Sequence, residues 1–198
     1  MKNLARHNVI KTWGRRGIKD FYLSFKIRKE FPQYSSFFLQ QGLEKICKAY
    51  ILGKREVALR YESLQEDARW KEVDKIAKDK SKMGHNLEEM IKMVLPSNIL
   101  SKVYKMYDDN TKVDGKECVK ILERAYLECR YPVPDTVSKK YGRNLLVSKK
   151  LRTFAYEAGL EVRKKIKQDY GTIISLNKFK TIGDKKWLKF RKLFLKLR

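Results

Sequence analysis

Side chains that could move protons or hold a metal are scarce in this sequence, and cations are abundant. Histidine occurs only as His7 and His85, and cysteine only as Cys47, Cys118 and Cys129, in a chain of 198 residues. A catalytic histidine needs a neighbour that orients it, and nothing beside His85 supplies one, so it reads as a residue packed at a helix start. The cysteines form no CxxC pair, which suits neither a zinc site nor a disulfide framework, and they read as reduced, mostly buried thiols. The stretch Asp108 to Gly115 has the outline of a calcium loop. Counting from Asp108, however, puts Lys112 at a ligand position and Val119 where a bidentate glutamate belongs. Glu44 and Glu88 read as single carboxylates on solvated helix faces. No Walker loop, GxGxxG, HExxH or GxSxG occurs, so neither a cofactor nor a metal is expected.

Binding is the chemistry that remains. Lysine and arginine number 47 against 23 acids, a net charge of +24 that exceeds what solubility requires and points to a polyanion, nucleic acid first and an anionic membrane surface second. Lys45 and Lys48 share one side of a helix and could meet one anion, or could equally be solvated lysines beside Glu44. Arg130 stands where a helix closes, and complementing the helix dipole there is its favoured role over holding phosphate. Lys139, Lys140, Arg143, Lys149, Lys150 and Arg152 follow with no acid among them, a density suited to a phosphate backbone. The carboxyl-terminal stretch adds Lys185, Lys186, Lys189, Arg191 and Lys192, and there Trp187, Phe190, Phe194 and Leu197 fall on one helical stripe. Docking on its own bundle or pairing in a dimer is the favoured role of that stripe, ahead of nucleic acid or peripheral membrane contact.

The charge is uneven along the chain. Residues 1–30 carry +7, residues 31–134 only +3, and residues 135–198 carry +14. This divides the sequence into a basic amino-terminal segment (1–16), a helical bundle (17–170) and a basic amphipathic extension (171–198). Arg15 and Arg16, with Trp13, would extend the basic surface if the fold brings the two ends together. No apolar run reaches the ~18 residues of a membrane-spanning helix and the amino terminus lacks a signal-peptide core, so a cytoplasmic protein is expected.

The elements that must position these groups are helical. Ile18, Phe21 and Phe25 step by three and four, as do Leu39, Leu43, Ile46 and Tyr50. The spacing predicts a helix over 17–30 after a break at Gly14 to Gly17, and another over 32–53 after Phe31-Pro32. Val57, Tyr61, Leu64 and Ala68 suggest a continuation of it or a further helix. Asn86 as cap with Glu89 three residues on marks a helix of about ten residues reaching Leu95. Others are predicted over 97–107, 115–129 and about 151–170, the last ending before Gly171. The fold class is all-α: an antiparallel up-and-down bundle of four to five main helices with a basic amphipathic helix at the carboxyl end.

Three stretches in order resemble one family. Phe37-Phe38-Leu39-Gln40-Gln41-Gly42-Leu43-Glu44-Lys45-Ile46-Cys47-Lys48-Ala49-Tyr50 resembles the second helix of HEPN domains (higher eukaryotes and prokaryotes nucleotide-binding). Gly84-His85-Asn86-Leu87 is similar to the start of the family's third helix, and Tyr126 to Pro132 to its Tyr-x-x-x-Arg-Tyr-Pro turn. The resemblance implies a four- or five-helix bundle, frequently a homodimer, that binds nucleotides or nucleic acid. It also implies company with minimal nucleotidyltransferase partners, toxin–antitoxin pairs and phage defence. Some members are metal-independent ribonucleases that use an Arg-x(4–6)-His motif near the last helix. Neither His7 nor His85 follows an arginine by that interval, so the expectation is a non-catalytic binding module. A divergent ribonuclease toxin, for which His85 is the one candidate base, and a protein-interaction subunit of a nucleotidyltransferase system are the alternatives.

Overall fold

Pro32 occupies a first helical turn, where its missing N–H has no partner to lose, and Phe31 before it is held out of helical geometry at φ −131° and ψ 75°. The chain therefore turns there between two long helices, α1 (Lys2–Ile27) and α2 (Pro32–Leu52). The computed structural model describes residues 2–54, 68, 71, 86–105, 115–130, 149–175, 188–190 and 192. It adds α3 (Leu87–Val94), α4 (Ser97–Lys105), α5 (Gly115–Arg130) and α6 (Lys149–Tyr170), with no strand among the described residues. The protein is an all-α helical bundle. Of the helix suggested from Val57 onward, only Ala68 and Lys71 are among the described residues, and both are helical.

One expected boundary is absent. α1 does not begin at Gly17 but runs through Gly14 and Gly17 from Lys2, burying Val9, Ile10 and Trp13 with Ile18, Phe21 and Phe25. Residues 2–16 are thus part of α1, and Val9, Ile10 and Trp13 among them are core. A glycine inside a helix costs about 1 kcal/mol relative to alanine, and here close packing offsets it. A Cβ on Gly17 would lie 2.6 Å from the Gly42 carbonyl oxygen, so the two glycines let α1 and α2 approach backbone to backbone.

α1 and α2 run antiparallel, as the pairs Ile10 with Gly53, Gly17 with Gly42 and Ser24 with Ser35 require. α2 is the central helix, touching α1, α3, α5 and α6. Of its predicted stripe, Leu39, Leu43 and Ile46 are fully buried and Tyr50 is half-buried. α6 lies antiparallel to α1: Tyr156 meets Phe21 edge to face with centroids 5.2 Å apart, and Tyr170 sits under Arg6. At its end Gly171 takes the left-handed conformation (φ 62°) that glycine adopts without strain, and its N–H closes the helix on the Lys167 carbonyl at 3.0 Å. Residues 172–175 then return along α1, where Ile174 fills the space left by Gly14 and the Thr172 hydroxyl bonds to His7 Nδ1.

The start of α3 matches its sequence signal: the Asn86 side chain accepts from the Glu89 N–H at 3.0 Å. Replacing Asn86 with alanine is expected to lower stability by about 1 kcal/mol, read as a small drop in the urea midpoint. An unchanged midpoint would mean that the cap is idle.

Candidate polyanion interface

Because α1 and α6 are antiparallel, the end of one lies beside the start of the other. Arg28 follows the last turn of α1 and donates from its guanidinium to the Phe25 carbonyl, satisfying a helix end with a cation. The same guanidinium lies over the Phe25 ring, 4.0 Å from its centroid. Arg152 stands in the first turn of α6, half-buried, one turn before Tyr156. Burial lowers the Arg152 pKa from the ordinary arginine value; Tyr156 opposes the shift and the like charge of Arg28 adds to it. Arginine nonetheless stays protonated in proteins, so both side chains keep their charge. Burial pushes the Tyr156 hydroxyl well above its ordinary pKa, and it donates to the Phe21 carbonyl at 3.4 Å.

The carboxyl-terminal stretch comes to the same place. Phe190 is fully buried, with its ring centroid 5.7 Å from Tyr22, 5.8 Å from Phe25 and 5.7 Å from Tyr156. Lys189 and Lys192 beside it are exposed. The ring that Arg28 covers is therefore also a ring on which the tail docks. Lys26 and Lys29 are exposed at the end of α1, and Lys149 and Lys150 begin α6. Among the described residues of 26–30, 149–157 and 188–192 the acids are Glu30 and Glu157 alone. Three basic stretches remote in sequence thus converge on one end of the bundle. Burying Phe190 contributes about 1.5–3 kcal/mol of tail docking, so Phe190→Ala is expected to speed tryptic cleavage at Lys189 and Lys192 by roughly tenfold or more. Unchanged cleavage would show that the tail is held by something else.

The other residues singled out from the sequence divide into two groups. Lys45 and Lys48 do not turn to a common anion: Lys45 Nζ reaches Asp20 at 2.5 Å and Lys48 Nζ reaches Glu44 at 2.6 Å. Glu44 is not on a solvated face either, for it is buried and also accepts from Gln40 Nε2 at 2.7 Å. Burial raises the Asp20 pKa even though the Lys45 ammonium opposes it. Arg130 closes α5 with its backbone. His85, Lys139, Lys140, Arg143, Lys185, Lys186 and Arg191 lie outside the described residues, as do Trp187, Phe194 and Leu197.

Trp13 is core, and Arg15 and Arg16 sit twelve or more residues before Arg28, about 18 Å or more along the helix axis. They do not extend this cluster. Arg28 takes that place, and its signal in the sequence is the run Lys26, Arg28, Lys29 just before the Phe31-Pro32 break. No disulfide joins Cys47, Cys118 or Cys129, and burial, with Glu44 beside it, pushes the Cys47 thiol far above its usual pKa. No helix of the described residues is long and apolar enough to cross a membrane. Comparison with known families, with curated proteins and with solved structures gives no match to any of the three.

Proposed function

We propose that this chain is a HEPN-like helical module that binds nucleotides or nucleic acid and has no catalytic centre of its own. The observation that carries the reading is the convergence of Arg28, the docked tail and the first two turns of α6, which carry Arg152, around Phe25, Tyr156 and Phe190. A phosphate seated there would meet guanidinium groups from the end of α1 and the start of α6. Guanidinium groups suit this because their forked donors match phosphate oxygens two at a time. The surrounding lysines add attraction that is long-ranged and screened by salt.

The motif residues of α2 support the HEPN-like part of the reading in a particular way. Gly42 and Lys45 meet α1, and Glu44 and Lys48 pair within α2, as expected of a signature of fold rather than of a site. The ribonuclease and nucleotidyltransferase-subunit alternatives rest on the resemblance alone.

Filter binding of RNA and of DNA across a salt series tests the proposal. Release of counterions predicts an affinity that falls linearly in log–log form, with a slope of about −0.7 to −0.9 per phosphate contacted. Arg28→Ala is expected to weaken binding and to reduce that slope by about 1. Absence of binding at low salt would refute the proposal, and RNA cleavage in the presence of chelator would replace it with the ribonuclease reading.

A further inference from the structure

Arg28 is followed by two aromatic rings that the fold leaves outside. Phe31 is 54% exposed and Tyr34 51%, whereas Phe21, Phe25, Phe154, Tyr156 and Phe190 are buried. The two exposed rings contact each other edge to face, with centroids 6.3 Å apart and planes at 82°. Single exposed apolar residues are ordinary on protein surfaces. A mutually contacting aromatic pair within six residues of a guanidinium cluster is a different observation.

The corner that carries the pair is stiff. The Phe31 N–H donates to the Ile27 carbonyl at 2.9 Å, ending α1, and the Phe31 carbonyl accepts from the Ser35 N–H at 2.9 Å, starting α2. Pro32 fixes the backbone between the two rings, and the buried Ser35 hydroxyl is tied to Ser24 at 2.9 Å. The rings are thus presented by two helix ends with little freedom to fold back onto the protein. Phe31 is the third residue after Arg28, which limits their Cα atoms to within about 11 Å, the reach of one or two nucleotides.

Cations that track a phosphate backbone beside aromatic faces on which bases stack are the two parts of a single-strand binding surface. A duplex keeps its base faces covered and could use only the cations. We infer that this end of the bundle takes single-stranded nucleic acid in preference to duplex, with Phe31 and Tyr34 stacking on bases while Arg28, Arg152 and the docked tail hold phosphates. The inference rests on the polyanion-binding reading above and adds the class of ligand.

Fluorescence anisotropy with labelled oligouridylate, oligothymidylate and a duplex of equal phosphate count, at one low salt concentration, tests it. Both single strands are expected to bind about tenfold or more tighter than the duplex. In Phe31→Ala/Tyr34→Ala that ratio falls toward one, while Phe31→Tyr/Tyr34→Phe keeps it. Circular dichroism melts of both variants confirm that they are folded, as exposed positions should allow. A strong difference between oligouridylate and oligothymidylate would assign the ligand to RNA or to DNA.

Equal binding of single strand and duplex, a ratio indifferent to removal of the rings, or inorganic polyphosphate competing as well as oligouridylate would overturn the inference and leave the polyanion reading standing. Failure of every oligonucleotide to bind would remove both.

Discussion

Replacing Gly42 with valine is expected to cost about 3 kcal/mol or more, the upper end of what overpacking does to a core, and so to remove much of the ~5–15 kcal/mol by which a domain is stable. A Cβ at this position would lie 2.4 Å from Phe21 Cδ1, 2.6 Å from Phe21 Cε1 and 2.9 Å from the Gly17 carbonyl oxygen. The phenyl ring cannot give way. It is fully buried, and on its far side a Cβ at Gly159 would lie only 2.7 Å from its Cε2, so α6 already presses against it. The carbonyl cannot give way either, because it belongs to the backbone of α1. Relief requires α1 and α2 to separate, which undoes the central pairing of the bundle. Gly14→Ala is the contrasting substitution. Its added methyl meets only the Ile174 side chain, on a short extended segment that can shift, and the cost is expected to stay below about 1.5 kcal/mol. Urea denaturation followed by circular dichroism measures both. A Gly42→Val protein as stable as the parent would mean that α1 and α2 are not packed as described.

These two glycines also show where the sequence is readable and where it is not. Gly14 and Gly17 frame two arginines, and by local criteria that is a helix break. The fact that decides otherwise is Gly42, twenty-five residues on from Gly17 and one helix away, and no local pattern contains it. Signals confined to one turn fare better: the Phe31-Pro32 boundary, the Asn86 cap and the stop at Gly171 all appear where their residue types place them. Spacing by three and four likewise selects the buried faces of α1, α2 and α6, because a helical period requires only the helix.

The candidate interface stands between these cases. Its cations are visible as charge excess at the two ends of the chain, and Arg152 and the tail lysines can be named from composition alone. That Arg28 joins them follows from the antiparallel packing of α1 on α6, and Arg15-Arg16, the more conspicuous pair, lies too far along the helix. Phe190 is legible as a member of an apolar stripe. Its partners Tyr22, Phe25 and Tyr156 belong to tertiary structure.

Lys48→Met is the second substitution with a large expected effect, and it separates the two meanings that the α2 motif carries. In the folded chain Lys48 Nζ donates to Glu44 Oε1 at 2.6 Å, with side-chain exposures of only 11% and 5%. Methionine keeps the length and apolar stem of lysine but takes the ammonium away from a buried carboxylate, which also accepts from the Gln40 amide at 2.7 Å and the Gln41 amide at 3.5 Å. Removing one partner of a buried pair costs about 3–5 kcal/mol, mostly as the penalty of the uncompensated charge. Glu44→Gln is expected to cost less, since the Lys48 ammonium can turn toward water on its flexible stem. Combining Glu44→Leu with Lys48→Met should recover a large part of the loss, because an apolar pair of similar volume carries no stranded charge. Lys45→Met should sit lower on the same scale: Lys45 is 25% exposed, and the raised pKa of Asp20 eases protonation of its carboxyl. The salt dependence of oligonucleotide binding then tells scaffold from site. A lysine that touches phosphate takes about one unit of slope with it when removed. For Lys48→Met the expected slope change is zero, measured below the variant's melting transition, while Arg28→Ala loses its unit. A slope that falls for Lys48→Met and not for Arg28→Ala would move the phosphate contact from the α1–α6 end of the bundle to the α2 motif, and with it the site that the motif's resemblance to a nucleotide-binding family first suggests.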